Sequence, residues 1–264
     1  MSKDSKKNKS IKVLGIGLIQ TSLENPKENF RVIFKKGIGK AMISKILNSF
    51  EKEIIENEQG RSFIPLENFT AFINFYRSGN EKAQVIIYID DKENPHTFPQ
   101  LYLHSKKIIA ACKSESDNEK MLEICENLVE IPRVSNVFGV FFVDNGGSPM
   151  FTKIMGKRAD IIKSEEQVGG FISALFSFSK IILKDANEGE LKEISFGNQT
   201  FHTIAKEKII FAFLTDEMTP LLERYMHILS EEFFERYEDK IENFKCDISE
   251  FYEFEETLNK YLEI

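Results

Sequence analysis

Val168-Gly-Gly-Phe-Ile-Ser-Ala-Leu-Phe-Ser-Phe-Ser-Lys180 is the stretch whose reading decides the fold. At helical spacing, Val168, Phe171, Ile172, Leu175 and Ile182 form one large apolar stripe. Gly170, Ser173, Ala174 and Ser177 form a second stripe of small residues beside it. Glycine in a first helical turn lowers helix propensity, so a compensating close approach of backbone is expected. That approach is either to a sheet beneath the helix or to a partner outside it. In the first case the helix simply crosses a core, and in the second the small residues are a binding face.

Outward from this helix, the second half of the chain alternates strands and turns. Residues 137–143 read as a strand, Asp144-Asn-Gly-Gly147 as a hairpin turn and 150–155 as its return strand. The helix spans about 165–183 and stops before Asn187-Glu-Gly189. Three short strands follow at 191–196, 200–205 and 209–214. Thr219-Pro220 then caps a long helix running to about 244, with Leu222, Met226, Leu229, Phe233, Tyr237 and Ile241 as its core stripe. A last amphipathic helix covers 249–261, with Ser249 as its expected N-cap.

The first half has the same order. Strands are expected at 11–20 and 30–34, one helix over 40–58 stopped by Gln59-Gly60, and strands at 62–66, 69–77 and 84–90. Phe69, Ala71, Ile73 and Phe75 alternate with more polar positions, as in a half-exposed strand. Helices near 100–112 and 118–129 close this half before Ile131-Pro132. Each half therefore reads β-β-α-β-β-β-α-α. The class is α+β in two domains, 11–131 and 134–264, each a five-stranded antiparallel sheet flanked by helices. Residues 1–10, with four lysines and one aspartate, read as a disordered basic tail.

Charge is unevenly divided. Residues 1–133 carry 21 Lys and Arg against 18 Asp and Glu, and residues 134–264 carry 14 against 24. An acidic second half disfavours nucleic acid as a partner, because phosphate neutralisation needs a basic surface. It permits pairing with a basic protein face. No apolar run reaches the ~18 residues a membrane-crossing helix needs, so membrane contact is expected to be at most peripheral, through the basic tail. Cys112, Cys125 and Cys246 have no CxxC spacing and form an odd count, which fits a reduced, cytoplasmic protein. Cys112 and Cys125 fall on apolar helix faces, as small core residues. The 24 phenylalanines, with no tryptophan, supply apolar area for two cores without metal or disulfide.

Motifs for chemistry are missing. There is no GxxxxGK[ST] and no GxGxxG, and Gly15-Ile-Gly17 lies within a strand. His96, His104, His202 and His227 show no metal-ligand spacing, Asp90-Asp91 with Glu93 reads as a solvated turn, and no serine sits in G-x-S-x-G. The expectation is a chain without cofactor, metal or catalytic residues of its own.

The element order, together with Phe141-Phe-Val-Asp-Asn-Gly-Gly-Ser-Pro-Met-Phe151, Gly170-Phe-Ile-Ser-Ala-Leu-Phe-Ser-Phe178 and Ile194-Ser-Phe-Gly197, resembles the longin, or SNARE-like, fold and its roadblock relatives of archaeal type. The resemblance covers about 130–264, and over 11–130 it is one of topology. A helix at 118–129 could serve as the leading helix of a roadblock domain, while the helix at 249–261 points to longin. The resemblance implies interaction domains that pair with each other and act as platforms for small GTPases in trafficking-like or signalling complexes. Implied partners are a small GTPase, a longin or roadblock protein, a second copy of the chain, or the other half as an internal pseudo-dimer. The partner-binding residues would be Gly170, Ser173, Ala174 and Ser177. A guanine-nucleotide exchange or activating role is compatible, since such factors reshape switch segments without a catalytic acid or base. The alternative from composition is a small-molecule sensor, its phenylalanine-rich interior enclosing an apolar ligand.

Overall fold

The computed structural model describes residues 11–112, 118–154, 165–182 and 191–264, with backbone alone at 165–166 and 179–182. The tail 1–10 and the stop at Asn187-Glu-Gly189 lie outside the described residues. The protein is α+β, with two five-stranded antiparallel sheets and, among the described residues, seven α-helices. It divides into two units at Ile131/Pro132.

In the first unit the strands lie side by side as β2 (Phe30–Lys36), β1 (Gly15–Ser22), β5 (Lys82–Asp91), β4 (Phe69–Arg77) and β3 (Gln59–Pro65). Alternate side chains point to opposite faces of a sheet. Ile16, Leu18, Phe72, Ile86 and Tyr88 meet α3 (Phe98–Cys112) and α4 (Asn118–Leu128) on one face. Ala71, Ile73, Val85, Ile87 and Ile89 meet α1 (Lys40–Ser49) and α2 (Glu51–Glu56) on the other. Both faces are covered, so β4 is buried from Ala71 to Phe75 rather than half exposed. Met121, Cys125 and Leu128 place α4 in this unit's core.

The helix expected over 40–58 is two. Phe50 leaves helical dihedrals (φ −117°, ψ 12°) between α1 and α2 and packs on their shared core cluster. Gln59 and Gly60 do not end a helix but open β3, paired with Tyr76 and Phe75. A Cβ at Gly60 would run into the Phe75 ring, which explains the glycine.

The second unit has the matching order β7 (Pro149–Ile154), β6 (Val137–Asp144), β10 (Ile209–Thr215), β9 (Gln199–Lys206) and β8 (Glu193–Phe196). Phe141, Val143, Ile210 and Ala212 face α5 (Glu165–Ile182) through its Ile172 and Phe176. The opposite face packs phenylalanine on phenylalanine, against α6 (Pro220–Glu242) and α7 (Phe254–Tyr261). Phe142 lies 4.7 Å from Phe211 and 4.8 Å from Phe233, both edge-on. Phe233 meets Phe254 at 5.0 Å and 89°. Edge-to-face pairs of this kind add about 0.5–1.5 kcal/mol each beyond area burial. The interior of this unit is thus filled by its own rings.

Thr219 caps α6, its hydroxyl accepting from the Leu222 N–H at 3.2 Å, with Pro220 at the first helical position. Ser249 is not the cap of α7. Asp247 instead accepts from the Ser249 N–H (3.0 Å) and hydroxyl (2.6 Å), capping a 3-10 turn over Ile248–Phe251 before α7 starts at Phe254. This break lets Phe251 and Phe254 both be fully buried.

A small bridge closes each unit in the same way. The Val13 N–H donates to Leu128 O and the Glu130 N–H to Val13 O, at 2.8 and 2.9 Å. In the second unit the Val134 N–H donates to Tyr261 O and the Glu263 N–H to Val134 O, at 2.9 and 2.8 Å. The residue leading into the first strand thus ties down the end of the last helix in both.

Candidate functional site

Helix α5 is held against the tip of the β6–β7 hairpin through backbone. Gly147 has φ +90°, and its N–H donates to Asp144 O at 3.0 Å, while an Asp144 carboxylate oxygen accepts from the Ser148 N–H at 2.7 Å. A Cβ at Gly169 would lie 2.5 Å from Gly147 O, and one at Gly147 would lie 2.9 Å from Gly170 Cα. Ser173 Oγ donates to Asn145 O at 2.6 Å, adding a polar anchor one turn on. The close approach that the glycines require is therefore to the hairpin beneath.

This geometry divides the small-residue stripe. Ser173 is turned inward, only 6% exposed, and belongs to the packing. Gly170, Ala174 and Ser177 are exposed together on the outer face. Phe171 does not share the core stripe with Ile172. It is 41% exposed and packs with its ring tilted 54° at 5.6 Å from Phe196, itself 49% exposed at the end of edge strand β8. Phe178, 59% exposed, lies seven residues from Phe171 and so on the same side of the helix. From Gln167 to Phe178 the helix carries no charged residue. The equivalent helix of the first unit, α1, turns Lys40, Lys45 and Asn48 outward.

The partner-binding residues expected from sequence do not include Phe178 or Phe196. Phe171 and Phe178 at i and i+7, on the arc of Gly170, Ala174 and Ser177, were a readable signal. Phe196 was not, because its proximity to Phe171 is made only by the fold.

Other candidates resolve into structure. Asp90 is buried, and its carboxylate accepts from the His96 N–H at 2.6 Å, faces His96 Nδ1 at 2.9 Å and accepts from the Asp91 N–H at 3.0 Å. Asp91 accepts from the Glu93 and Asn94 N–H groups, both at 2.8 Å. These carboxylates order the connection from β5 to α3. Cys125 is fully buried, and burial pushes its thiol up to about 12, so it is inert as a nucleophile. Among the described residues, no three His, Cys, Asp or Glu side chains are grouped to hold a metal ion. No helix among them is long and apolar enough to cross a membrane. No protein-family model matches the chain, and no curated protein matches it.

Proposed function

We propose that the chain is a non-catalytic protein-interaction module of the tandem longin-like, roadblock-related kind. It serves as a platform or regulator for a small GTPase or for a longin or roadblock partner. The observation that carries this reading is the outer face of α5 from Gln167 to Phe178, which holds no charge and is joined through Phe171 to Phe196 on edge strand β8. One exposed phenylalanine needs no explanation. Three in one uncharged area match the composition of an interface core, rich in aromatics and poor in charge. The matching strand orders of the two sheets, with helices on both faces, support the fold resemblance. Fold alone does not carry function, so the α5 face bears the argument.

The test uses the full chain as bait in an extract of its source cells. Wild type is expected to recover a small GTPase or a longin or roadblock protein. Ala174→Arg and Phe178→Asp, both at exposed positions, are expected to lose it with Tm within about 2 °C of wild type. Recovery of neither class, or recovery unchanged in both variants, overturns the reading. Variants that unfold would assign the face to the core. Where a GTPase is recovered, its nucleotide release with and without the chain separates exchange factor from platform.

A further inference from the structure

The first unit offers a different surface, the outer edge of its sheet at β3. In an antiparallel ladder every second residue bonds to the neighbouring strand, and the residues between point their N–H and C=O groups away from it. The Arg77 N–H donates to Glu58 O at 2.6 Å and the Leu66 N–H to Phe69 O at 3.0 Å, so the even-numbered residues bond to β4. Gln59, Arg61 and Phe63 therefore turn their N–H groups outward, and Pro65, next in the row, has none. The other edges are blunted. β2 carries Arg31, Lys35 and Lys36, β7 packs against the 3-10 turn Ile248–Phe251, and β8 has four residues. Beside the β3 edge, Phe63 is 40% exposed, and the Arg61 guanidinium lies 4.1 Å from the Phe98 ring and 5.0 Å from Tyr102. The Lys106 ammonium stands over the same Tyr102 ring at 4.8 Å.

We propose that the β3 edge takes up an extended acidic segment of a partner protein as a sixth strand. Two observations select that occupant. The outward row of backbone groups is matched by another extended chain, whereas a helix has already used its own groups internally. Arg61 and Lys106 then set the charge on the α3 side. Neither is ion-paired among the described residues, and neither β3 nor α3 contains an acidic residue. The acidic residues nearby lie elsewhere. Glu58 stands at one end of β3, and Glu67, Asp91 and Glu93 stand with Lys92 at the other. Helix α4, with Glu119, Glu123 and Glu126, packs by β2 at the opposite edge, where Glu126 bonds to Lys36. Helix α2, with Glu51, Glu53 and Glu56, covers the other face of the sheet. Carboxylates are therefore complementary on the α3 side alone, which means at every second position of the added strand. A second copy of β3 fits poorly. The antiparallel registers that pair most of the strand set Arg61 opposite or diagonal to its own counterpart.

The experiment selects a displayed library of linear peptides on the full chain. Enriched sequences are expected to carry Asp or Glu at alternate positions. A winner is then synthesised with each backbone nitrogen methylated in turn, which removes one donor at a time and leaves the protein unchanged. Affinity is expected to fall at least about tenfold at every second position and little at those between. Arg61→Glu and Lys106→Glu should each weaken the unmodified peptide, and added salt should weaken it for wild type. Both positions are exposed, and a Tm near wild type verifies folding. The proposal is overturned if no peptide is enriched, if winners lack acidic residues, if methylation shows no alternation, or if both variants bind undiminished. It is also overturned if Phe63→Pro, which removes an outward N–H, converts a dimer to a monomer, or if poly(dT) binds wild type and not Arg61→Glu. The occupant would then be a second copy or single-stranded nucleic acid.

Discussion

Gly169 and Gly170 are adjacent, identical and opposite in role. A Cβ at Gly169 would strike the Gly147 carbonyl, whereas one at Gly170 would meet nothing within 4 Å. Gly169→Ala is therefore expected to destabilise the fold by more than about 1 kcal/mol, since backbone must move. Gly170→Ala should instead stabilise it by about 0.5–1 kcal/mol through helix propensity. Urea denaturation of the two variants measures this, and equal effects would mean the helix is phased differently. From sequence, the close approach belongs to the glycines of the first turn without a choice between them, and Ser173 shares one stripe with Gly170, Ala174 and Ser177. The choice and the division of the stripe have one cause. Neighbouring helical residues point about 100° apart, and only the sheet beneath sets which of them faces in.

At the scale of elements, local signals mark helix α6 well and the helix over 40–58 poorly. Thr219-Pro220 is a cap that needs no tertiary help. The break at Phe50 is made by packing, with no proline or glycine to announce it. Helix α3 carries a testable titration. His104 has a folded pKa below 6.5, chiefly from desolvation and then from Lys107 and His96. The unfolded chain then binds a proton more readily than the native protein. Stability linked to His104 is present above about 6.5 and falls as pH drops from there toward the lower folded value. Tm of wild type should therefore decline relative to His104→Gln between pH 7.5 and pH 5. Parallel Tm curves over that range would show the imidazole to be unperturbed.

For the whole molecule, the repeat goes beyond element order. The strand orders β2-β1-β5-β4-β3 and β7-β6-β10-β9-β8 correspond strand for strand. The bridges at Val13 and Val134 match bond for bond. Val13→Pro and Val134→Pro each remove the N–H that ties down the last helix, so each should destabilise its own unit by at least about 1 kcal/mol. Amide hydrogen exchange localises the loss. Protection lost near Leu128 in one variant and near Tyr261 in the other is the expected result. A variant with unchanged protection would show that its bridge is dispensable.

Sequence by itself determined the class, the two sheets, nearly every strand and the hairpin at Asp144–Gly147. Hydrophobic period, turn residues and caps are local properties, and they survive reading one residue at a time. The uncharged run from Gln167 to Phe178 is also a property of the sequence. Only the tertiary structure decided which of its residues are surface. Ser173 went inward to the Asn145 carbonyl, Phe171 went outward to Phe196, and Phe178 joined it on the same side. The pairing of α3 with α4 is likewise tertiary, because Ile11, Leu103 and Ile124 become neighbours only when two helices are laid side by side on one sheet. Helix phase and helix pairing are set by the shared core beneath, and no single segment contains that information.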